Sequence, residues 1–248
     1  MTLGTALLAL YAIPVLALVV SVPSGELLIQ LTDPVVLRAA RTSLFSASVS
    51  VFIATVFGLP LAYWLARANS RLKTVVLAVV VFPLVLPPTV SGMMLLTVFG
   101  PGSLVGDAAI VVGIPLTRSL LGVIFAQTFV ASPFVVVTAK AAFETVDVRL
   151  EDASRSLGKS RLVTAQRVTL PIAGPGILAG ITLAFARAIG EFGATIMISF
   201  YPRTMPVQIW VAFLSQGLEN AYPVAILLLL IAAGALMVLH TAATNPWS

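Results

Sequence analysis

The sequence predicts an all-α, polytopic membrane protein: one transmembrane domain over residues 1–248 with six transmembrane helices. Three observations carry this. Mean hydropathy is +1.09. Only 9% of residues are charged, against roughly 25% in soluble domains, too few to coat a water-exposed surface. And apolar stretches recur at lengths near the about 20 helical residues that cross a bilayer core about 30 Å thick.

The elements follow in order. The first stretch, residues 3–22, lacks the basic start and small-residue cleavage site of a signal peptide, so it reads as a span. The next are 44–66, 75–99, 120–142, 172–200 and 222–239. Pro83, Pro87 and Pro88 interrupt the third, and proline removes a backbone donor and clashes with the preceding turn, so that helix should bend. An amphipathic piece, 206–218 (Val207, Trp210, Val211, Leu214), reads as interfacial or partly re-entrant. Trp64 and Trp210 suit interfacial aromatic belts. No internal repeat is evident, which weakens an inverted-repeat secondary transporter.

Orientation comes from the loops. Arg67, Arg71 and Lys73 lie between spans two and three, and Lys140, Arg149, Arg155, Lys159, Arg161 and Arg167 between spans four and five. On the other side Arg38, Arg41, Arg118 and Arg203 are offset by Glu26, Asp33, Asp107 and Glu219. The positive-inside rule places the richer side in the cytoplasm and, with it, both termini. The expected location is the cell membrane. The net charge of +5 therefore reports topology, and no nucleic-acid partner is expected.

The loop over 144–171 is the most polar insert in the chain. Asp147 can cap a helix. Leu150, Ala153 and Leu157 recur at helical spacing as a narrow apolar stripe, and Gly158 can end that helix in the left-handed conformation. A second helical stretch, 161–170, leads to Pro171 at the start of the next span. On these residues alone the insert can lie on anionic lipid, dock on a cytoplasmic partner, or be a plain loop. Glu144, Asp147, Glu151 and Asp152 argue against a purely lipid-binding patch, which would be mostly basic.

Within the fifth span, Arg187 and Glu191 are four apart and share a helical face. Ionisable groups at that depth face a bundle interior or water. They read equally as a gate or pathway element and as a pair that locks helix packing. Gly190 and Gly193 permit a kink or a close approach. Pro87 and Pro88 read as pathway candidates on a bent helix, or as a static kink. Met93 and Met94 read as packing, and His240 as interfacial. With no Cys and one His, neither thiol chemistry nor a His-cluster metal site is available. No Walker phosphate loop, HExxH or GxSxG occurs, so no catalytic residues are expected.

The loop resembles the signature of ATP-binding-cassette importer permeases: Glu-Ala-Ala, three residues, Gly, nine residues, then Ile-x-Leu-Pro. Asp152-Ala153-Ser154 occupies the triplet, Gly158 the glycine, and Val168-Thr169-Leu170-Pro171 the close. Asp stands for Glu, so either Glu151 or Asp152 can hold the acidic role. FPLVLPPTVSGMMLL (82–96) and AFARAIGEFGATIMI (184–198) are similar to segments of oxyanion importer permeases, the molybdate/tungstate group first and sulfate/thiosulfate permeases next.

The resemblance implies a type I importer permease fold and a non-catalytic subunit. It makes the loop a coupling helix seated in a groove of a separate ATPase, with Leu150, Glu151, Asp152, Ala153, Ser154, Arg155, Leu157 and Gly158 as the coupling residues. It implies two ATPase subunits carrying ATP and Mg, a second permease copy, an external oxyanion-binding protein and no cofactor on this chain. Competing readings are a heterodimeric sulfate-type permease, an ion-coupled carrier centred on Arg187 and Glu191, and a scaffold without transport.

Overall fold

The computed structural model describes residues 2–244 except 24, 26, 28, 30 and 31. Glu26 lies outside the described residues, and so does the His240 side chain. Among the described residues every regular element is helical. The longer elements are α1 (Thr2–Val20), α2 (Pro34–Arg67), α3 (Arg71–Val85), α4 (Pro88–Phe99), α6 (Leu120–Glu144), α9 (Leu170–Ile189) and α12 (Leu218–Thr244). Shorter elements are α5 (Leu104–Val111), α7 (Val148–Ser156), α8 (Arg161–Thr164), a π-helical turn (Ala165–Thr169), α10 (Gly193–Ile198) and α11 (Met205–Gln216).

Among the described residues four helices are long and apolar enough to cross a membrane: α2, α6, the continuous run Arg161–Ile189, and α12. The α3–α4 pair adds a fifth if taken as one broken span, and Gly4–Val20 in α1 is apolar but shorter. Against the expected six, the helices that meet the length and hydropathy of a span thus number four or five, with α1 the sixth apolar helix but a shorter one.

The three largest differences from the sequence reading each have a physical reason. Helix α2 starts at Pro34, ten residues before the expected 44, because Asp33 accepts the Val35 N–H at 2.7 Å and Pro34 sits at the first helical position. Arg38 and Arg41 thus belong to the helix rather than to a loop. The third span breaks outright: α3 and α4 meet at 118°, because consecutive prolines at 87 and 88 hold Leu86 and Pro87 extended. Pro83 stays within α3. The fifth span ends at Ile189, and residues 190–192 separate it from α10.

Helix α6 is central. Of its most apolar stretch 56% is buried, against 33%, 33% and 22% for α2, Arg161–Ile189 and α12. It packs along α2 and α9. Ala47, Ala54, Ala131, Ala184 and Ala188 lie at one contact, and Ala62, Ala139 and Ala173 at another. In a bilayer apolar burial does not drive helices together, so association relies on close van der Waals packing that small residues allow. Buried polar bonds supplement it: Ser50 donates to the Ile124 carbonyl at 3.1 Å, and the Met205 N–H donates to Ser43 at 2.7 Å.

Candidate functional site

Two regions contain the residues singled out from sequence. The first is the loop helix α7. Asp147 caps it by accepting the Arg149 N–H at 2.9 Å. It stops where Gly158 adopts φ +78°, a conformation that costs L-residues and suits glycine. The expected helix and turn are therefore present.

The expected stripe is exposed in this chain. Leu150 is 48% exposed and Leu157 81% exposed, and Ala153 faces solvent too. Val148 is 44% exposed as well, but it lies on the other side of the helix, where it lines a cavity with Tyr63, Arg67 and Glu151. Asp152 and Arg155 are exposed and paired across one turn, whereas Ser154 Oγ meets Thr164 Oγ1 at 2.9 Å.

Glu151 points the other way and is 3% exposed. Its Oε1 accepts from Arg67 Nη2 at 2.9 Å and from Thr169 Oγ1 at 2.9 Å. Its Oε2 accepts from Tyr63 OH at 3.1 Å. Arg67 Nη2 also donates to the Val146 carbonyl at 3.0 Å, and its guanidinium lies 5.8 Å from the Tyr63 ring centre. Burial alone would raise the Glu151 carboxyl. Hydrogen bonds from Arg67, Thr169 and Tyr63, together with the Arg67 charge, outweigh it and hold the group below the ordinary glutamate range. The structure thus separates the neighbouring acids: Glu151 turns inward and Asp152 outward. Sequence reasoning missed Tyr63, Arg67 and Thr169. The one available hint was that Arg67 lies in a loop with no acid of its own.

Below this cluster Tyr63 packs edge-on against Phe143, centroids 5.5 Å apart, over the contact of α2, α6 and α9. Glu144, at the end of α6, pairs with Lys140 at 2.8 Å and with Lys73 of α3 at 3.6 Å. A cavity of about 470 Å³ beside the cluster is lined by Tyr63, Arg67, Asn69, Glu151, Arg155 and Arg161 among others.

The second region is where two helix breaks meet. Arg187 and Glu191 do pair, but not as neighbours on one continuous helix. Glu191 lies past the end of α9, 1% exposed. Its Oε1 accepts the Ala194 N–H at 2.7 Å, which satisfies a free donor in the first turn of α10. Gly193 abuts the other break: a Cβ there would stand 2.8 Å from Pro88 Cβ. So Pro88, Gly193, Arg187 and Glu191 are brought together, and Pro87 adjoins them as the residue before α4. Gly190 closes α9. Met93 and Met94, expected as packing residues, are 52% and 39% exposed in the single chain. Trp210 packs on Phe192 and Phe213 at 5.7 and 5.8 Å.

Among the described residues no group of three or more His, Asp or Glu is placed to hold a metal ion.

The fold is that of ATP-binding-cassette importer transmembrane subunits. A bacterial importer of the acidic polysaccharide alginate superposes with a TM-score of 0.75 over 99% of this chain and 94% of the other, at 16% identity. The MetNI methionine transporter, in an inward-facing form, superposes at 0.69 over 86% and 97%, at 20% identity. The class is therefore a multi-pass membrane subunit of the type I importer fold.

Sequence relatives narrow it. Residues 54–244 match the binding-protein-dependent transport system inner membrane component family. A probable molybdenum ABC transporter permease protein of Haloferax volcanii is 55% identical over 99% of this chain and 90% of its own length. The molybdate/tungstate transport system permease protein of Pyrococcus abyssi is 35% identical over 96% and 92%. The chain belongs to the family of binding-protein-dependent transport system inner membrane components.

Proposed function

We propose that this chain is the permease subunit of an ATP-driven importer of molybdate or tungstate. Two copies form the translocation pathway, two separate ATPase subunits supply ATP hydrolysis with their own Mg, and an external binding protein delivers the anion. The observation that carries the coupling role is α7: a short polar helix, closed by Gly158, fixed on its inner side through Glu151 and presenting Leu150, Ala153 and Leu157 outward. A narrow apolar stripe edged by charge suits a groove in a water-soluble partner better than hydrocarbon. The names of the relatives support the substrate class.

The bias of Lys and Arg places α7 and both termini in the cytoplasm. The two abutting breaks, Leu86–Pro87 and 190–192, supply the joints at which pathway-lining helices reorient. Glu191 is neutralised by Arg187 and by the α10 amide, so it does not present a free carboxylate to a passing oxyanion.

The test is uptake of radiolabelled molybdate into proteoliposomes containing this chain and its ATPase. Uptake requiring both ATP and the binding protein is the expected result. Uptake by this chain alone, driven by an ion gradient, would replace the importer with a carrier. Gly158→Pro, which cannot adopt a positive φ, should insert normally and abolish coupled uptake.

A further inference from the structure

We propose that Tyr63, Arg67 and Thr169 are positioning residues which, through Glu151, make α7 move as one body with α2 and α9. The proposal rests on the coupling reading above and names what transmits the motion.

Helix α7 has nine residues, well below the length at which an isolated helix holds itself in water. Its apolar side chains are exposed to a large extent, and Glu151 is its one buried residue. Its attachment to the protein is therefore polar. The three donors to Glu151 come from two other helical elements: Tyr63 and Arg67 lie 88 and 84 residues away, at the end of α2, and Thr169 lies 18 residues away, where the chain enters α9. Bonds to an ionised acceptor are short, strong and directional. They fix an orientation where an apolar contact would let the helix slide.

The π-helical turn serves the same end. In an α-helix of 3.6 residues per turn, side chains five apart diverge by about 140°. An i→i+5 turn brings them nearly over one another. Thr164 and Thr169, at either end of this turn, both face α7: Thr164 meets Ser154, and Thr169 meets Glu151. A buried ion pair is a poor device for stability alone, since apolar residues of like volume often serve as well. A network that sets the angle between two elements is a use that apolar packing does not replace.

The clamp and the docking surface are separable by residue. Asp152, Leu150 and Leu157 face outward; Arg67 and Thr169 touch none of that surface. In proteoliposomes holding the complete importer, Arg67→Met should keep the ATPase bound and hydrolysing. Molybdate transported per ATP should fall about tenfold, a size typical of coupling between sites. Thr169→Val, a milder change that keeps Arg67–Glu151, should lower it about two- to threefold, as loss of one hydrogen bond does. The exchanged pair Arg67→Glu with Glu151→Arg should recover part of the loss, because it restores the ion pair, and the Tyr63 and Thr169 hydroxyls can accept from the new guanidinium, while the Val146 carbonyl stays without its donor.

A general packing defect would lower hydrolysis and transport together, and the exchange would not restore them. Unchanged transport per ATP in both Arg67→Met and Thr169→Val overturns the proposal. So does loss of the ATPase from Arg67→Met without rescue by the exchange, since the network would then merely build the docking face. Leu157→Asp is the control for the underlying reading. If it keeps the ATPase, the docking reading fails and the clamp falls with it. If it sheds the ATPase while Arg67→Met transports normally, only the clamp fails.

Discussion

Glu151 and Glu191 are both buried glutamates paired with an arginine, yet they do different things. Glu151 accepts from residues 84, 88 and 18 positions away and so ties three elements together. Glu191 accepts from a residue three positions on and pairs with one four positions back. Its bonds are all local and staple the gap between α9 and α10. The chemistry is the same; what differs is the sequence distance it spans. A long-range network carries displacement between elements, whereas a local one preserves the shape of a joint while the helices on either side reorient.

The largest expected effect that sharpens this contrast is at the joint. Arg187→Met leaves Glu191 buried and without its cation, which costs about 3 kcal/mol or more. Glu191→Gln keeps an oxygen for the Ala194 N–H and should cost clearly less. Thermal unfolding of both variants in detergent checks the order; equal losses would mean that leaving the Glu191 charge without its cation costs nothing extra. Next is Gly193→Val, whose Cβ meets Pro88 at 2.8 Å. Forcing the two breaks apart should cost about 1–3 kcal/mol and slow transport while leaving ATPase binding intact. Normal transport with a normal melting point would detach the breaks from the mechanism.

A smaller effect concerns pH. Glu151 is held below its ordinary value of 4.5, so its stabilisation is fully present above that value and is lost as pH falls through the lower folded value. Arg155 and Arg161 line the same cavity as Arg67 and add to the positive surroundings, and Arg155 Nε donates to the Glu151 carbonyl at 3.4 Å. Amide exchange over 148–156, corrected for intrinsic rates, should be flat from pH 8 to pH 5 and rise only below the ordinary glutamate value of 4.5. A rise near pH 6 would contradict the assigned shift. The smallest effect is Asp152→Asn: an exposed i,i+3 pair contributes under about 1 kcal/mol. Stability should stay unchanged, so any loss of transport in that variant reports docking rather than folding.

Much of this architecture was legible in the residues. The α6 and α12 spans, the Asp147 cap and the Gly158 turn follow from hydropathy and local turn chemistry, which act within a few positions. The α2 start was signalled by Asp33-Pro34 but masked because Arg38 and Arg41 dilute the hydropathy of its first turns. The 190–192 break was hidden for the opposite reason: Gly190-Glu191-Phe192-Gly193 sits in a run apolar enough to read as continuous helix. Which of Glu151 and Asp152 faces inward was not decidable, because adjacent positions on a helix differ by only about 100°. The choice is made by Tyr63, Arg67 and Thr169, and long-range partners leave no mark on local sequence.

The central claim is that α7 docks on an ATPase through its outward face. The most direct test is to co-express this chain with the ATP-binding-cassette subunit encoded in its own genome, extract the membranes and pull on this chain alone, native and Leu157→Asp. The account predicts that the ATPase accompanies the native chain and is lost from the variant while both chains remain inserted. An ATPase that accompanies both equally, or neither when both proteins are intact, would contradict it.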